Sequence, residues 1–256
     1  MNKIEKRNII RAKLSSGKIS IGSWIQLPNT SVAEIMGQAG YDWVAVDLEH
    51  GSIDISQLPD LFRALELGDT LPMVRLAEGN PKDCKLALDA GAGGVIIPMV
   101  ESAEQFRKVR EACCWPPTGT RGVGFSRANL FGKNFETYSQ EAQAPLVIAM
   151  IEHVKALEEL ENILQEQGID AILIGPYDLS ASMNLTGKFE STEFKEAMNS
   201  IIKLCNRNKI PCGVHVVQPD PEMLQQRIIE GYRFIAYSID SVFLNSYVKN
   251  PLVIYS

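Results

Sequence analysis

Two carboxylates stand out by their position behind short apolar runs. In DAILIGPYDLSAS (170–182), the run AILI ends at a Gly-Pro turn, and Asp178 follows before a Ser-rich helix start. In LVIAMI (146–151), the run leads straight into Glu152 and His153. Apolar runs of four to six residues bounded by Gly or Pro read as parallel strands buried on both faces. Adjacent parallel strands lie about 4.8 Å apart. Glu152 and Asp178 at the ends of consecutive strands can therefore share one hard divalent ion, leaving room for water and a chelating substrate. The competing reading of Glu152 is a buried ion pair with Arg75 or Arg121. Other strand-like runs end in further polar groups: Trp24 in the first, Asp47, Glu49 and His50 after the second, Arg75 in the third, His215 in the seventh. All three histidines of the chain fall at such ends.

Several chemistries are missing. A Schiff-base aldolase needs a lysine inside the barrel, and the 14 lysines lie in expected helices, loops and tails. No GxSxG elbow, Walker loop or phosphate cup is present.

The elements that must position these groups alternate along the whole chain. Strand-like runs cover 19–26, 42–46, 71–76, 94–100, 146–151, 171–174, 210–217 and 233–237, with helix-like segments between them. Asn29-Thr30-Ser31 opens one helix, Asn80-Pro81 another, and 240–248 forms a short last helix. Eight such units without a break in composition predict an α/β fold with one (β/α)8 barrel domain over 1–256, its site at the C-terminal ends of the strands. MNKIEKRNIIRAKL reads as a helix lying across a barrel end. Residues 115–144 break the rhythm, with Pro116-Pro117 and glycines at 119, 122, 124 and 132. They read as a long structureless loop reaching from the far side, as a subunit contact or a lid over a neighbouring mouth.

A 256-residue chain with 45% hydrophobic residues can bury a large core. Its net charge of −6 gives no reason to expect nucleic acid or an anionic membrane as partner. No 18-residue apolar run and no signal-peptide core occur. Cys84, Cys113, Cys114, Cys205 and Cys212 lack zinc-ligand spacing and read as buried free thiols of a cytoplasmic protein.

Taken in order, these motifs resemble the HpcH/HpaI aldolase family, the metal-dependent class II pyruvate aldolases related to citrate lyase β subunits. The resemblance runs from Gly22 to about Leu244. It is carried by GSW (22–24), DLEHG (47–51), MVRL (73–76), LDAGAGGVIIPMVE (88–101), GTRGVG (119–124), MIE (150–152) and IGPYDLSASM (174–183). The resemblance implies reversible cleavage of a 4-hydroxy-2-oxoacid into pyruvate and an aldehyde. It makes Glu152 and Asp178 the metal ligands, with Mg²⁺ or Mn²⁺ favoured over Co²⁺ or Zn²⁺. Arg75 matches the group that stabilises oxyanion charge. His50 matches the base acting on the hydroxyl, and Asp89 the carboxylate that orients that base; by its spacing alone, Asp89 reads as an ordinary helix-end residue before Gly91. Trp24, Met150, Gly175, Pro176, Tyr177 and Asp178 form the expected substrate contacts.

The chain departs from the family pattern twice. Met150 replaces the family's Gln two residues before the metal Glu, so a hydrogen bond to the oxoacid is lost. Tyr177 replaces a small residue and is expected to narrow or re-polarise the pocket. His153 and His215 have no family role. The same enolate chemistry could serve a CoA-ester lyase or an oxaloacetate decarboxylase, and loss of turnover would leave an oxoacid-binding barrel. A CoA site calls for a basic mouth, where only Arg75, Arg121 and Arg127 are expected. The family also implies a homotrimer or homohexamer with an exchanged C-terminal helix, and VFLNSY (242–247) is apolar enough to need burial.

Overall fold

The computed structural model describes residues 1–251. Eight strands pair in chain order into a closed parallel barrel. They are β1 Ser20–Ile25, β2 Trp43–Asp47, β3 Leu71–Arg75, β4 Gly94–Ile97, β5 Leu146–Ile151, β6 Ala171–Ile174, β7 Cys212–Val216 and β8 Phe234–Ile239. The expected (β/α)8 fold is the fold observed. β4 stops short of the expected 94–100, because Pro98 offers no N–H to the ladder and Met99 turns to φ +49°.

The strands bury both faces, which is why they read as nearly continuous apolar runs. Side chains alternate between two cores. Outward residues such as Val44, Val46, Val74, Val95, Val147 and Ile172 pack under the helices. Inward residues such as Trp24, Trp43, Met73, Ile96, Met150 and Phe234 fill the barrel. Gly22 faces Trp43 across the β1–β2 ladder, and a Cβ there would run into the indole ring. The glycine admits the indole, which stacks on Phe234 with ring centroids 4.4 Å apart.

The helix Lys3–Ser15 starts on a capping box between Asn2 and Glu5. It lies, as expected, across the barrel end where the strands begin. Lys6 Nζ donates to Thr70 O at 3.2 Å, Arg11 Nε to Asp170 Oδ1 at 2.6 Å, and Lys13 pairs with Asp42. Each partner immediately precedes a strand, so one helix ties together the starts of β2, β3 and β6.

Residues 115–144 are more ordered than a structureless loop. They contain a 3₁₀ turn at Arg127–Asn129 and a helix at Phe135–Glu141. Trp115 packs edge-on against Tyr138, ring centroids 5.2 Å apart, and closes a small apolar cluster with Ala142. Arg7 Nη1 donates to Glu141 O and Ala144 O, joining this segment to the N-terminal helix. The helix Ala103–Cys113 carries the chain from the end of β4 back to the strand starts, so the segment lies at the end opposite the strand C-termini. Arg121 and Arg127, expected at the mouth, are there too. Arg121 donates to Tyr138 Oη, and Arg127 to Ala90 O and Glu66.

The last described helix, Asp240–Tyr247, is anchored through Asp240, whose carboxylate accepts from the N–H groups of Gln26 and Leu27. Leu244 and Tyr247 on it stay exposed.

Candidate active site

The strand register assembles the first half of the site. Asp47 and Arg75 are direct partners across β2 and β3. Arg75 grips Asp47 with two parallel bonds, Nε to Oδ1 at 2.8 Å and Nη2 to Oδ2 at 2.7 Å. Gln26 Nε2 donates to Oδ2 at 2.9 Å, and the backbone N–H groups of Glu49 and His50 donate to Oδ1. Asp47 is thus the hub that fixes Arg75, the turn carrying Glu49 and His50, and the end of β1. Its burial works to raise its pKa, yet the Arg75 hydrogen bonds and charge outweigh that and hold it below the usual carboxylate range. Arg75 Nη1 also pairs with Glu49 at 3.0 Å, and its guanidinium lies 4.5 Å from the Trp24 ring centroid.

The second half comes from β5 and β6, where Ile151 faces Ile174. Glu152 follows Ile151 and lies against Gly175, where a Cβ would approach Glu152 Oε2 to 2.6 Å. Here the missing side chain of glycine leaves the carboxylate its space. Glu152 Oε1 accepts from Met99 N at 2.6 Å. Met99 holds the left-handed φ noted above, a strained choice for a long side chain that aims its N–H at the carboxylate. Glu152 is 2% exposed. Its burial pushes its pKa up to about 7, with Glu49 and Asp178 adding to the rise against the Met99 hydrogen bond. Asp178, in the first turn of the helix Pro176–Ser182, is exposed and has no hydrogen-bond or ion-pair partner among the described residues.

The mouth therefore holds four carboxylates, Asp47, Glu49, Glu152 and Asp178, whose neighbouring charges raise the charging cost of Glu49 and Glu152, with one arginine among them. Among the described residues, no three His, Cys, Asp or Glu side chains converge as a complete metal cage. The oxygen-only pair Glu152 and Asp178, with Glu152 Oε2 and the whole Asp178 carboxylate free, fits a hard cation that shares its shell with water and substrate. The ion-pair reading of Glu152 does not hold, since Arg75 is taken by Asp47 and Glu49 and Arg121 sits at the opposite end.

A family model described as HpcH/HpaI aldolase/citrate lyase matches residues 20–246. This chain belongs to that family. It is 34% identical over 240 residues, 93% of both chains, to the hydroxypyruvate/pyruvate aldolase of Roseobacter denitrificans. It is 32% identical over 250 residues, 97% of this chain and 93% of the other, to the 2-keto-3-deoxy-L-rhamnonate aldolase of Escherichia coli K12. Its fold superposes on an HpcH/HpaI aldolase/citrate lyase family protein of Burkholderia cenocepacia with a TM-score of 0.90 at 29% identity, covering 97% of this chain and all of that one. The chain is an aldolase-type carbon–carbon lyase.

In this HpcH/HpaI barrel, His50, Arg75, Glu152, Asp178, Trp24, Met150 and the turn Gly175, Pro176, Tyr177 all lie at or just inside the C-terminal mouth. Asp89 does not join them. It lies in the last turn of the helix Pro81–Ala90, at the strand-start end, beside Arg121 and Lys85. Met150 is buried inside the barrel, and Tyr177 turns its ring edge-on to Phe189 at 5.0 Å. Tyr177, Pro176 and His215 border the upper edge of a groove of about 470 Å³ that runs outside the barrel between the helices Thr192–Asn208 and Pro221–Glu230, and none of His50, Arg75, Glu152 and Asp178 lines it. Reading the sequence for chemistry gave Asp47 no role and passed over Met99. The aspartate opening DLEHG was a legible signal for the first; the backbone turn at Met99 has none.

Proposed function

We propose that this barrel carries out reversible, divalent-metal-dependent aldol cleavage of a 4-hydroxy-2-oxoacid to pyruvate and an aldehyde. The observation that supports it most is the pair of carboxylates without a cationic partner on consecutive strand ends, Glu152 and Asp178, beside an arginine pinned by Asp47. Glu152 and Asp178 would hold the ion, and their all-oxygen chemistry favours Mg²⁺ or Mn²⁺ over Co²⁺ or Zn²⁺. When bound, it supplies Lewis-acid polarisation of the keto oxygen.

The remaining work falls to the chain's own residues. Arg75, rigid in its double bond to Asp47, stabilises the negative charge that develops on oxygen as the carbon–carbon bond breaks. His50, exposed on the loop after β2, takes the proton of the C4 hydroxyl. Trp24 walls the mouth beside Arg75, and the turn Gly175, Pro176, Tyr177 positions the oxoacid carboxylate. Met150 lines the floor with a thioether in place of a donor, so orientation rests on the other groups. Asp89 has no part within the chain's own mouth. The names of the relatives, hydroxypyruvate/pyruvate and 2-keto-3-deoxy-L-rhamnonate aldolases, support a 2-oxoacid product with a hydroxylated partner. A CoA ester is disfavoured, because Arg121 and Arg127 lie at the opposite end of the barrel.

We place the protein in a homotrimer or homohexamer. Exposed Leu244, Tyr247 and Val248 on one side, and Val123, Phe125, Leu130 and Phe131 on the other, support this reading. Light scattering at micromolar protein tests it, and a monomer alone would refute it. The five unpaired, buried cysteines accord with a cytoplasmic setting.

Deuterium exchange into the pyruvate methyl, followed by proton NMR, tests the function without choosing an aldehyde. Exchange is expected with Mg²⁺ or Mn²⁺, absent with EDTA, and lost in Glu152→Ala and Asp178→Ala. No exchange with any of the four metals would overturn the reading.

A further inference from the structure

One half-buried imidazole at the mouth has no work in this reaction. His215, on β7, points into the barrel and stacks on Trp24, ring centroids 5.4 Å apart and planes 21° apart. The same indole carries the Arg75 guanidinium. His215 Nε2 lies 3.2 Å from Ser238 O. A carbonyl only accepts, so Nε2 carries the proton and Nδ1 is left as a bare acceptor.

Ser238 is built to hold that arrangement. It takes a left-handed φ of +56°, rare for serine, next to the register shift between β1 and β8. Its carbonyl also accepts from Ser23 Oγ at 3.3 Å, and its residue is fully buried. Ring plane and tautomer of His215 are therefore both fixed, one by Trp24 and one by Ser238. Burial pushes the His215 pKa down to about 4, against the pull of the Ser238 carbonyl, with the Arg75 charge adding to the fall. The ring stays neutral near pH 7, where Nδ1 can accept but not donate.

Nothing among the described residues donates to Nδ1. His215 sits at the strand-end mouth beside Trp24 and Arg75, and its edge also reaches, with Pro176 and Tyr177, a groove between the helices Thr192–Asn208 and Pro221–Glu230. A pre-oriented acceptor with no protein partner, at the mouth beside Trp24 and Arg75, offers itself to a donor brought by a ligand. Neither the carboxylate nor the keto group of an oxoacid can donate; a hydroxyl can.

We propose that His215 is a specificity-determining residue, whose Nδ1 accepts a hydrogen bond from a substrate hydroxyl, so that the site selects hydroxylated substrates over their deoxy counterparts. The proposal rests on the aldolase reading above. The hydroxyl can belong to the oxoacid or to the aldehyde, and the test separates the two.

His215→Phe keeps a ring against Trp24 and removes the acceptor; His215→Gln returns an acceptor without the ring. Rates of aldol addition are compared for hydroxypyruvate against pyruvate with one aldehyde, and for glycolaldehyde against acetaldehyde with pyruvate. His215→Phe is expected to lower kcat/KM for one hydroxylated member about 10- to 100-fold and for its deoxy partner less than about threefold. His215→Gln should recover part of the loss. An equal loss for both members of each pair, or no loss, would overturn the proposal.

A readout free of turnover separates this from failure of the aldolase reading. In full-length protein labelled with ¹⁵N-histidine, the His215 nitrogens are assigned from their loss in His215→Phe. The Nε2-protonated tautomer is expected, with the Nδ1 resonance moving on addition of hydroxypyruvate or glycolaldehyde but not of pyruvate or acetaldehyde. If the wild type shows no turnover yet Nδ1 responds in this way, the aldolase reading falls and the hydroxyl site stands. An Nδ1 resonance that none of these compounds moves sinks the proposal.

Discussion

The two ends of the barrel handle charge in opposite ways. Where the strands begin, cations and anions are matched: Arg11 with Asp170, Lys13 with Asp42, Arg7 with Glu141, and Arg127 and Lys3 with Glu66. Inside the mouth where the strands end, Arg75 is spent on Asp47 and Glu49, and on the rim Lys155 pairs with Glu101. Glu152 and Asp178 remain without a cation of their own. Strained backbone serves this end too, with Met99 aimed at Glu152 and Ser238 aimed at His215. The strand-start end is built for stability, whereas the mouth keeps charge and acceptors unsatisfied, as a binding site must before its ligand arrives.

Breaking the mouth should remove activity and leave the fold. Glu152→Gln or Asp178→Asn is expected to lower aldol cleavage by at least about 10³-fold, equivalent to about 4 kcal/mol of barrier. Circular dichroism and the melting temperature of the metal-free protein should stay within a few degrees of wild type. A variant that keeps a tenth of the activity would erase the distinction between the ends.

Breaking the other end should do the reverse. Arg7 is buried, pairs with Glu141 and donates to two carbonyls of the 115–144 segment. Arg7→Ala is expected to cost about 3 kcal/mol in urea denaturation, because Glu141 and those carbonyls lose their partner. The kcat/KM of the folded fraction should be unchanged.

His215 gives the comparison a pH axis. Its folded-state pKa of about 4 lies below the unfolded value near 6.5, so the unfolded chain binds the extra proton between those limits. Stability is then expected to fall as pH drops from about 6.5 to about 4, by about 2–3 kcal/mol, and to be unaffected by this group above that window. Denaturant curves for His215→Phe should be flatter by that amount over the same interval. The smallest effect is expected on the outer surface, at the exposed pair Glu104 and Lys108 of the helix Ala103–Cys113. Glu104→Ala should shift stability by less than about 0.5 kcal/mol and activity not at all.

Much of this contrast was legible from residue order. Glu152, Asp178, Arg75 and His50 each follow an apolar run, and in a parallel barrel the ends of all such runs meet at one mouth. What misled was distance along the chain: Arg121 and Arg127 follow a helix, not a strand, so they sit at the far end. Asp89 closes a helix, as its spacing before Gly91 reads, and only the family resemblance gave it a part in the site. The segment 115–144 reads as loop because its glycines and prolines hide a short helix that only the Trp115–Tyr138 packing secures.

The sequence by itself determined the barrel, since buried strands and amphipathic helices announce themselves through local periodicity. It also brought the residues that directly end its strands to the mouth, because a parallel barrel sends every strand end to the same face. Only the tertiary structure decided the partners. That Arg75 belongs to Asp47 and not to Glu152 depends on register between neighbouring strands. That His215 keeps a bare Nδ1 depends on Ser238, 23 residues away, adopting a backbone angle that no side-chain pattern encodes. Hydrogen bonds are directional and short-ranged, so they follow from coordinates, whereas burial follows from composition and spacing.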